Sequence, residues 1–233
     1  MPELLQRLAA NRLGSVHTKT FYKTLRSAFP PDDPISAIVV RMSVLFEDLR
    51  IEHALARNEE RMADLDRVNK LYRQFYFLRR STITMVEFKG SFQQFDTLPQ
   101  TAALIAQFDS HARESWMEAR AFFSTHSQLL KDIRNAYGGH FQWQTANHVV
   151  QRMRAETPGG MSIEYQPAER TATPVLPYTY DLVAGAFAMH QPAGEDFETF
   201  IRRVFEIITD GWIHCTDVMH IITLYDILPR FRS

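Results

Sequence analysis

Apolar residues recur at intervals of three and four along most of this chain, and runs that alternate apolar with polar are scarce. Ile38, Met42, Leu45 and Leu49 keep that spacing, and so do Leu71, Phe75 and Leu78, continued by Met85, Phe88 and Phe92. A third series runs through Leu104, Phe108, Ala112, Ser115, Ala119, Phe122, Leu129 and Ile133. Such spacing collects apolar groups on one face of an α-helix. A chain of 233 residues, 45% of them apolar, has ample material to bury those faces in one large domain, or a domain with an appendage. The expected fold class is all-α: an antiparallel bundle of long helices joined by short turns, with a C-terminal helical extension.

Turn residues divide the series. Residues 1–29 leave room for one or two short helices, and the FPPDDP stretch then punctuates, with Asp33-Pro34 suited to a helix start. A first long helix is expected from Ile35 to about Ala56, and a second after NEERMADLDR. Tyr72, Tyr76 and Phe77 make this second helix apolar over much of its circumference, which suits a central position. Thr97 is a candidate N-cap before Pro99, opening a third helix from Pro99 to about Ala136 that ends on Gly138-Gly139. A fourth runs from about Phe141 to Arg154. The following stretch is rich in Pro, Gly and Thr, and its MSIEY run alternates like a strand, so a linker or small β-hairpin is expected there. Helices from about Tyr178 to His190 and Asp196 to Leu228 complete the chain. The domain reading is a bundle over 1–155, a linker or hairpin over 156–175, and C-terminal helices over 176–233 packed on the same core.

The charge is close to balanced, with a formal net of -1, so any nucleic-acid contact must be local rather than a strongly basic surface. The single cysteine, Cys215, excludes a disulfide framework within the chain and a cysteine-based zinc cage. The N-terminal segment is amphipathic without an apolar signal core, and the apolar run ISAIVVRMSVLF is interrupted by Arg41 and too short to span a bilayer. A soluble, cytoplasmic protein without membrane contact is expected.

One segment concentrates polar chemistry. LLKDIRNAYGGHFQWQ, residues 129–144, places Arg134 and Asn135 in a last helical turn, then Gly138 and Gly139, then His140 at the start of the next helix. Arg134 suits the negative end of a helix dipole, and free amides at a helix start favour anions. The two glycines leave the backbone open to close approach. A guanidinium fork, an amide, an imidazole and bare helix-start amides within seven residues suit a phosphodiester. A nearby Arg and a helix N-terminus both disfavour the imidazolium, which keeps His140 neutral and fit to act as a general base. A plainer account stands beside this one. Gly-Gly is a common helix end, Arg is common in last turns, and a His beside Phe141 can simply pack.

Arg134-Asn135, four further residues and His140, at the end of a long helix in an all-helical chain, resemble the motif of the HEPN superfamily over residues 35–154. That resemblance implies a helical bundle that forms a homodimer and brings two copies of the motif together around a cleft. It implies a metal-independent endoribonuclease, in toxin–antitoxin, phage-defence or CRISPR settings, with an antitoxin or other regulatory protein as a further partner. It also implies an alternative, since other members bind nucleotide, RNA or protein without cutting. On the enzyme reading Arg134, Asn135 and His140 are catalytic, Gly138 and Gly139 belong to the binding surface, and no metal or cofactor is needed.

Other candidates are weaker. Glu52 and His53 fall where the first long helix should continue its apolar face, from which they would reach Arg134 or His140, or else mark where that helix leaves the core. His126 shares a face with Phe122 and Ile133 and reads as a packed histidine. Asp210, His214, Asp217 and His220 recur at helical spacing, which suits metal ligands or a solvated face, the second being the commoner. The LYRQFYF run with Arg73, Arg79 and Arg80 suits RNA stacking or, more commonly, core aromatics beside solvated arginines.

Overall fold

The architecture is that of a computed structural model, which describes residues 20–59, 67–137, 143–152, 162–166, 171–175 and 178–232. It is mainly helical. After a single turn, α1 (Leu25–Ala28), two long helices follow, α2 (Pro34–Glu59) and α3 (Arg67–Thr97). A short α4 (Pro99–Ile105) leads into α5 (Ser110–Tyr137), and α6 (Trp143–Arg152) comes next. Strands β1 (Ser162–Gln166) and β2 (Thr171–Val175) pair antiparallel, Ser162 opposite Val175 and Gln166 opposite Thr171. The chain ends with α7 (Tyr178–Ala188), α8 (Phe197–Ile222), a π-helical turn over Thr223–Ile227 and α9 (Leu228–Arg232).

Local chemistry explains the starts. Asp33 accepts from the Ile35 amide at 3.0 Å and from the Ser36 hydroxyl at 2.8 Å, which opens α2. Asp196 accepts from the Thr199 amide at 2.9 Å and opens α8. In the connection before it, Gly194 takes a φ of 85°, a left-handed conformation that disfavours side chains.

Two expectations need correction. The helix expected from Pro99 to Ala136 is two helices, broken at residues 106–109. Asp109 caps α5 by accepting from the Ala112 amide at 2.8 Å, and Tyr225 Oη donates to Asp109 Oδ2 across 3.0 Å. A side chain that satisfies free helix-start amides competes with continuation of the preceding helix. Thr97 does not cap α4. Its hydroxyl donates back to the Gln93 carbonyl at 2.8 Å, and the N-cap position belongs to Leu98.

The main core joins four helices. Met42 and Leu49 of α2, Phe88, Phe92 and Phe95 of α3, Trp116, Ala119 and Phe123 of α5, and Cys215, Val218 and Ile222 of α8 are buried together. Each large side chain withdrawn from water contributes about 1.5–3 kcal/mol, so the phenylalanine row of α3 is a principal source of stability. Gly211 of α8 permits a close approach here. A Cβ built on it would collide with the Met85 side chain. A second cluster gathers Phe75 and Leu78 of α3, Ile133 of α5, Val149 of α6, Phe187 of α7 and Phe200 and Val204 of α8. The C-terminal helices thus share both cores with the helices before them.

α3 and α5 run antiparallel. Asp96 meets Trp116 and Arg120, Lys89 meets Ser127, and Glu87 meets Arg134, so positions rise on one helix as they fall on the other. No described helix is long and apolar enough to cross a membrane.

Candidate functional site

Arg134 stands in the last turn of α5, with Asn135 exposed beside it. Its guanidinium donates from Nη2 to Glu87 Oε1 at 2.9 Å and from Nη1 to Asn135 Oδ1 at 3.3 Å. Glu87 is on α3, and its other oxygen accepts from Arg41 Nη2 of α2 at 2.7 Å. One carboxylate therefore ties together three helices, and it faces two guanidiniums. The trio retains a surplus positive charge. Its side chains are partly open to solvent, 48% for Arg41, 41% for Arg134 and 33% for Glu87, so an anion can approach both arginines. Gly138, Gly139 and His140 lie outside the described residues.

Glu52 and His53 lie near the end of the described part of α2. Glu52 is buried, and its Oε1 accepts from the Thr84 hydroxyl at 3.1 Å with Arg80 Nε 3.5 Å away. Its Oε2 is buried with no hydrogen-bond partner among the described residues. Burial pushes its carboxyl above the ordinary value, against the pull of Thr84 and Arg80. The His53 ring stacks on Trp212 of α8 at 5.0 Å and 12°, and Trp212 stacks in turn on Phe46 at 5.4 Å and 3°. That ladder of rings fastens α2 to α8, an inter-helix packing role.

The histidine and aspartate series on α8 divides. His214 leans on Phe122 with centroids 4.8 Å apart, as does His126 from α5. Burial lowers the His126 pKa first of all, partly opposed by Asp210. Asp217 and His220 face a small crevice with Asp109 and His111. Among the described residues no group of three or more His, Cys, Asp and Glu side chains is placed to hold a metal ion. In the aromatic run, Phe75 and Leu78 are buried and Tyr76 is 44% exposed with Arg79 over its ring.

Three functional candidates carry no sequence signature. Glu87 and Lys89 are single charges inside the apolar run MVEFKGSF, and Arg41 interrupts another such run. Only the packing of α2, α3 and α5 gives them partners. No family model matches the chain, and neither curated proteins nor solved structures include a significant match to it.

Proposed function

We propose that this chain is a HEPN-like antiparallel helical bundle that cleaves RNA without a metal, at the segment running from Arg134 to His140. The observation that carries the reading is the placement of the Arg134 guanidinium. It sits at the end of a long helix, held along one edge by Glu87 and Asn135, beside a second arginine that shares the same carboxylate. An arginine held in this way loses less freedom when it takes up a phosphate, and the surplus charge favours the anion.

In the reaction His140 takes the proton of a ribose 2′-hydroxyl. The 2′-oxygen attacks the adjacent phosphorus, and the bond to the 5′-oxygen of the next nucleotide breaks, with a proton supplied to that leaving group. Arg134 pairs with the nonbridging oxygens and offsets the charge that grows on them. Asn135 holds the guanidinium or the phosphate in register. Products are a 2′,3′-cyclic phosphate and a 5′-hydroxyl. Digestion of RNA in the presence of a chelator, with the product ends read by mass spectrometry, tests this. Linear 3′-hydroxyl and 5′-phosphate ends would contradict it.

The reading includes a homodimer that brings two such segments to one cleft. An exposed apolar row along α2, Val40, Val44, Ile51 and Leu55, supports association in general. Light scattering that finds only monomer at working concentration would count against it. A non-catalytic module that binds RNA or nucleotide is the second reading. It is favoured by one observation: Glu87 already occupies part of the fork that a scissile phosphate would use.

A further inference from the structure

Lys89 of α3 is buried, 4% exposed, and carries no carboxylate partner among the described residues. Its Nζ donates to the Ser127 hydroxyl of α5. One hydroxyl does not compensate an ammonium taken out of water, and such a charge ordinarily finds a counter-ion. Lys89 opens onto a cavity of about 290 Å³ between α3 and α5, which Gln93, Ser124 and Ser127 line with hydrogen-bonding groups over a floor of Phe92 and Phe123.

The charges facing this cavity can be summed. At its far end Asp96 Oδ1 accepts from Trp116 Nε1 at 2.7 Å and from Arg120 Nε at 2.9 Å. That pair is self-contained, so Lys89 is left as a net positive charge. Burial first, and then the charge of Lys131 one turn past Ser127, disfavour the Lys89 ammonium. The site therefore has donors and a surplus positive charge, and its one lining carboxylate, Asp96, is already taken by Arg120 and Trp116. Its volume lies near the lower end of the range for small-ligand sites, enough for a phosphate with part of its sugar.

The position adds meaning. Arg120, Ser124, Ser127, Lys131 and Arg134 follow one another on α5 at steps of four and three, along one face. Ser127 and Arg134 are separated by two turns, about 10 Å along the helix axis. A row of cationic and hydroxyl side chains of this kind can track a nucleic-acid backbone in proteins that bind single strands.

We propose that the cavity between α3 and α5 is a phosphate-binding subsite, with Lys89 as the counter-charge and Ser124, Ser127 and Gln93 as further donors. The phosphate comes from the backbone of single-stranded RNA lying along α5 toward Arg134, or from a free nucleotide. The choice of RNA rests on the cleavage reading above, whereas the subsite does not.

The test measures binding of a labelled 2′-O-methyl RNA, which has no free 2′-hydroxyl and so is not cut by this chemistry, with adenosine monophosphate as the second arm. Lys89→Met keeps the length of the side chain and removes the charge, so it should fold and melt at or above the wild-type temperature. It should weaken RNA binding by about tenfold, in the range of a charge-assisted hydrogen bond. The slope of log affinity against log salt should fall by about 0.7, one phosphate on a single strand. Gln93→Glu, at an exposed rim position, should weaken binding similarly through repulsion while leaving the fold intact. Arg202→Gln, on an exposed pair with Glu198 of α8, should change neither. Lys89-dependent binding of the nucleotide alone would keep the subsite and assign its ligand to a free phosphate ester. RNA and nucleotide binding unchanged in both Lys89→Met and Gln93→Glu would overturn the proposal. If Lys89→Met fails to fold, unchanged binding in Gln93→Glu suffices to overturn it. Because the probe is not cut, loss of the cleavage reading would leave this result standing.

Discussion

Glu87 of α3 holds Arg134 of α5 at 2.9 Å, and its second oxygen holds Arg41 of α2 at 2.7 Å. A carboxylate shared in this way fixes the position of the arginine without cancelling the charge of the group. Glu87→Gln should therefore separate binding from chemistry. The fold should persist, since pairs this exposed contribute little to stability. RNA should bind more tightly as the surplus positive charge rises, while cleavage should fall by about tenfold or more because the guanidinium is no longer held in place. Parallel binding and single-turnover measurements check this. A variant that binds and cuts like wild type would show that Glu87 has no orienting role.

Glu52 gives a pH dependence of definite sign. Burial raises its folded-state pKa above the ordinary 4.5, so the folded protein binds this proton more readily than the unfolded chain. Stability contributed by the protonated group is complete below about 4.5 and is lost as pH rises through the raised folded value. Glu52→Gln should melt higher than wild type at pH 7, with the difference vanishing below about 4.5. Thermal melts across that range check it, and a variant less stable at pH 7 would place an ionised, paired Glu52 in the native state.

Arg230 closes the C-terminal end of the molecule. It pairs with Asp226 through Nε at 2.9 Å and Nη2 at 2.8 Å, and with Asp33 through Nη1 at 2.7 Å. Asp226 is buried in the π-helical turn. Arg230→Ala leaves that carboxylate without its guanidinium and should cost about 3–5 kcal/mol by urea denaturation. Replacing Arg230→Met together with Asp226→Leu should cost less than the single change, because the buried Asp226 carboxylate is then not stranded and only the more exposed Asp33 loses its partner.

The long helices could be read from the sequence because burial imposes a three-four period on any helix that lies against a core. Phe88, Phe92, Ala119 and Phe122 carry that period and are buried. The break at 106–109 was hidden because Leu104, Phe108 and Ala112 keep the period across it, while the cap is made by the single Asp109 and reinforced by the distant Tyr225. Arg134 and Asn135 could be singled out because unlike polar groups cluster there in a few residues. Glu87, Arg41 and Lys89 could not, since each is a lone charge whose meaning comes from a partner on another helix. Glu52 shows the same limit from the other side: the apolar face correctly marks it as unusual, but its partners, Thr84 and Arg80, follow only from the packing of α2 on α3.

The most direct measurement is RNA cleavage with metal chelated, by wild type, Arg134→Ala, Arg134→Lys, His140→Ala and the double alanine variant, each checked by circular dichroism and melting. Wild type should cut. Each single variant should lose cleavage while keeping the helical signal, and Arg134→Lys should fail with them, because a point ammonium does not replace a bidentate fork. The double variant should be hardly worse than either single one, since groups that act as a unit are not additive. Folded wild type that leaves RNA intact, or folded Arg134→Ala and His140→Ala that cut at the wild-type rate, would contradict it.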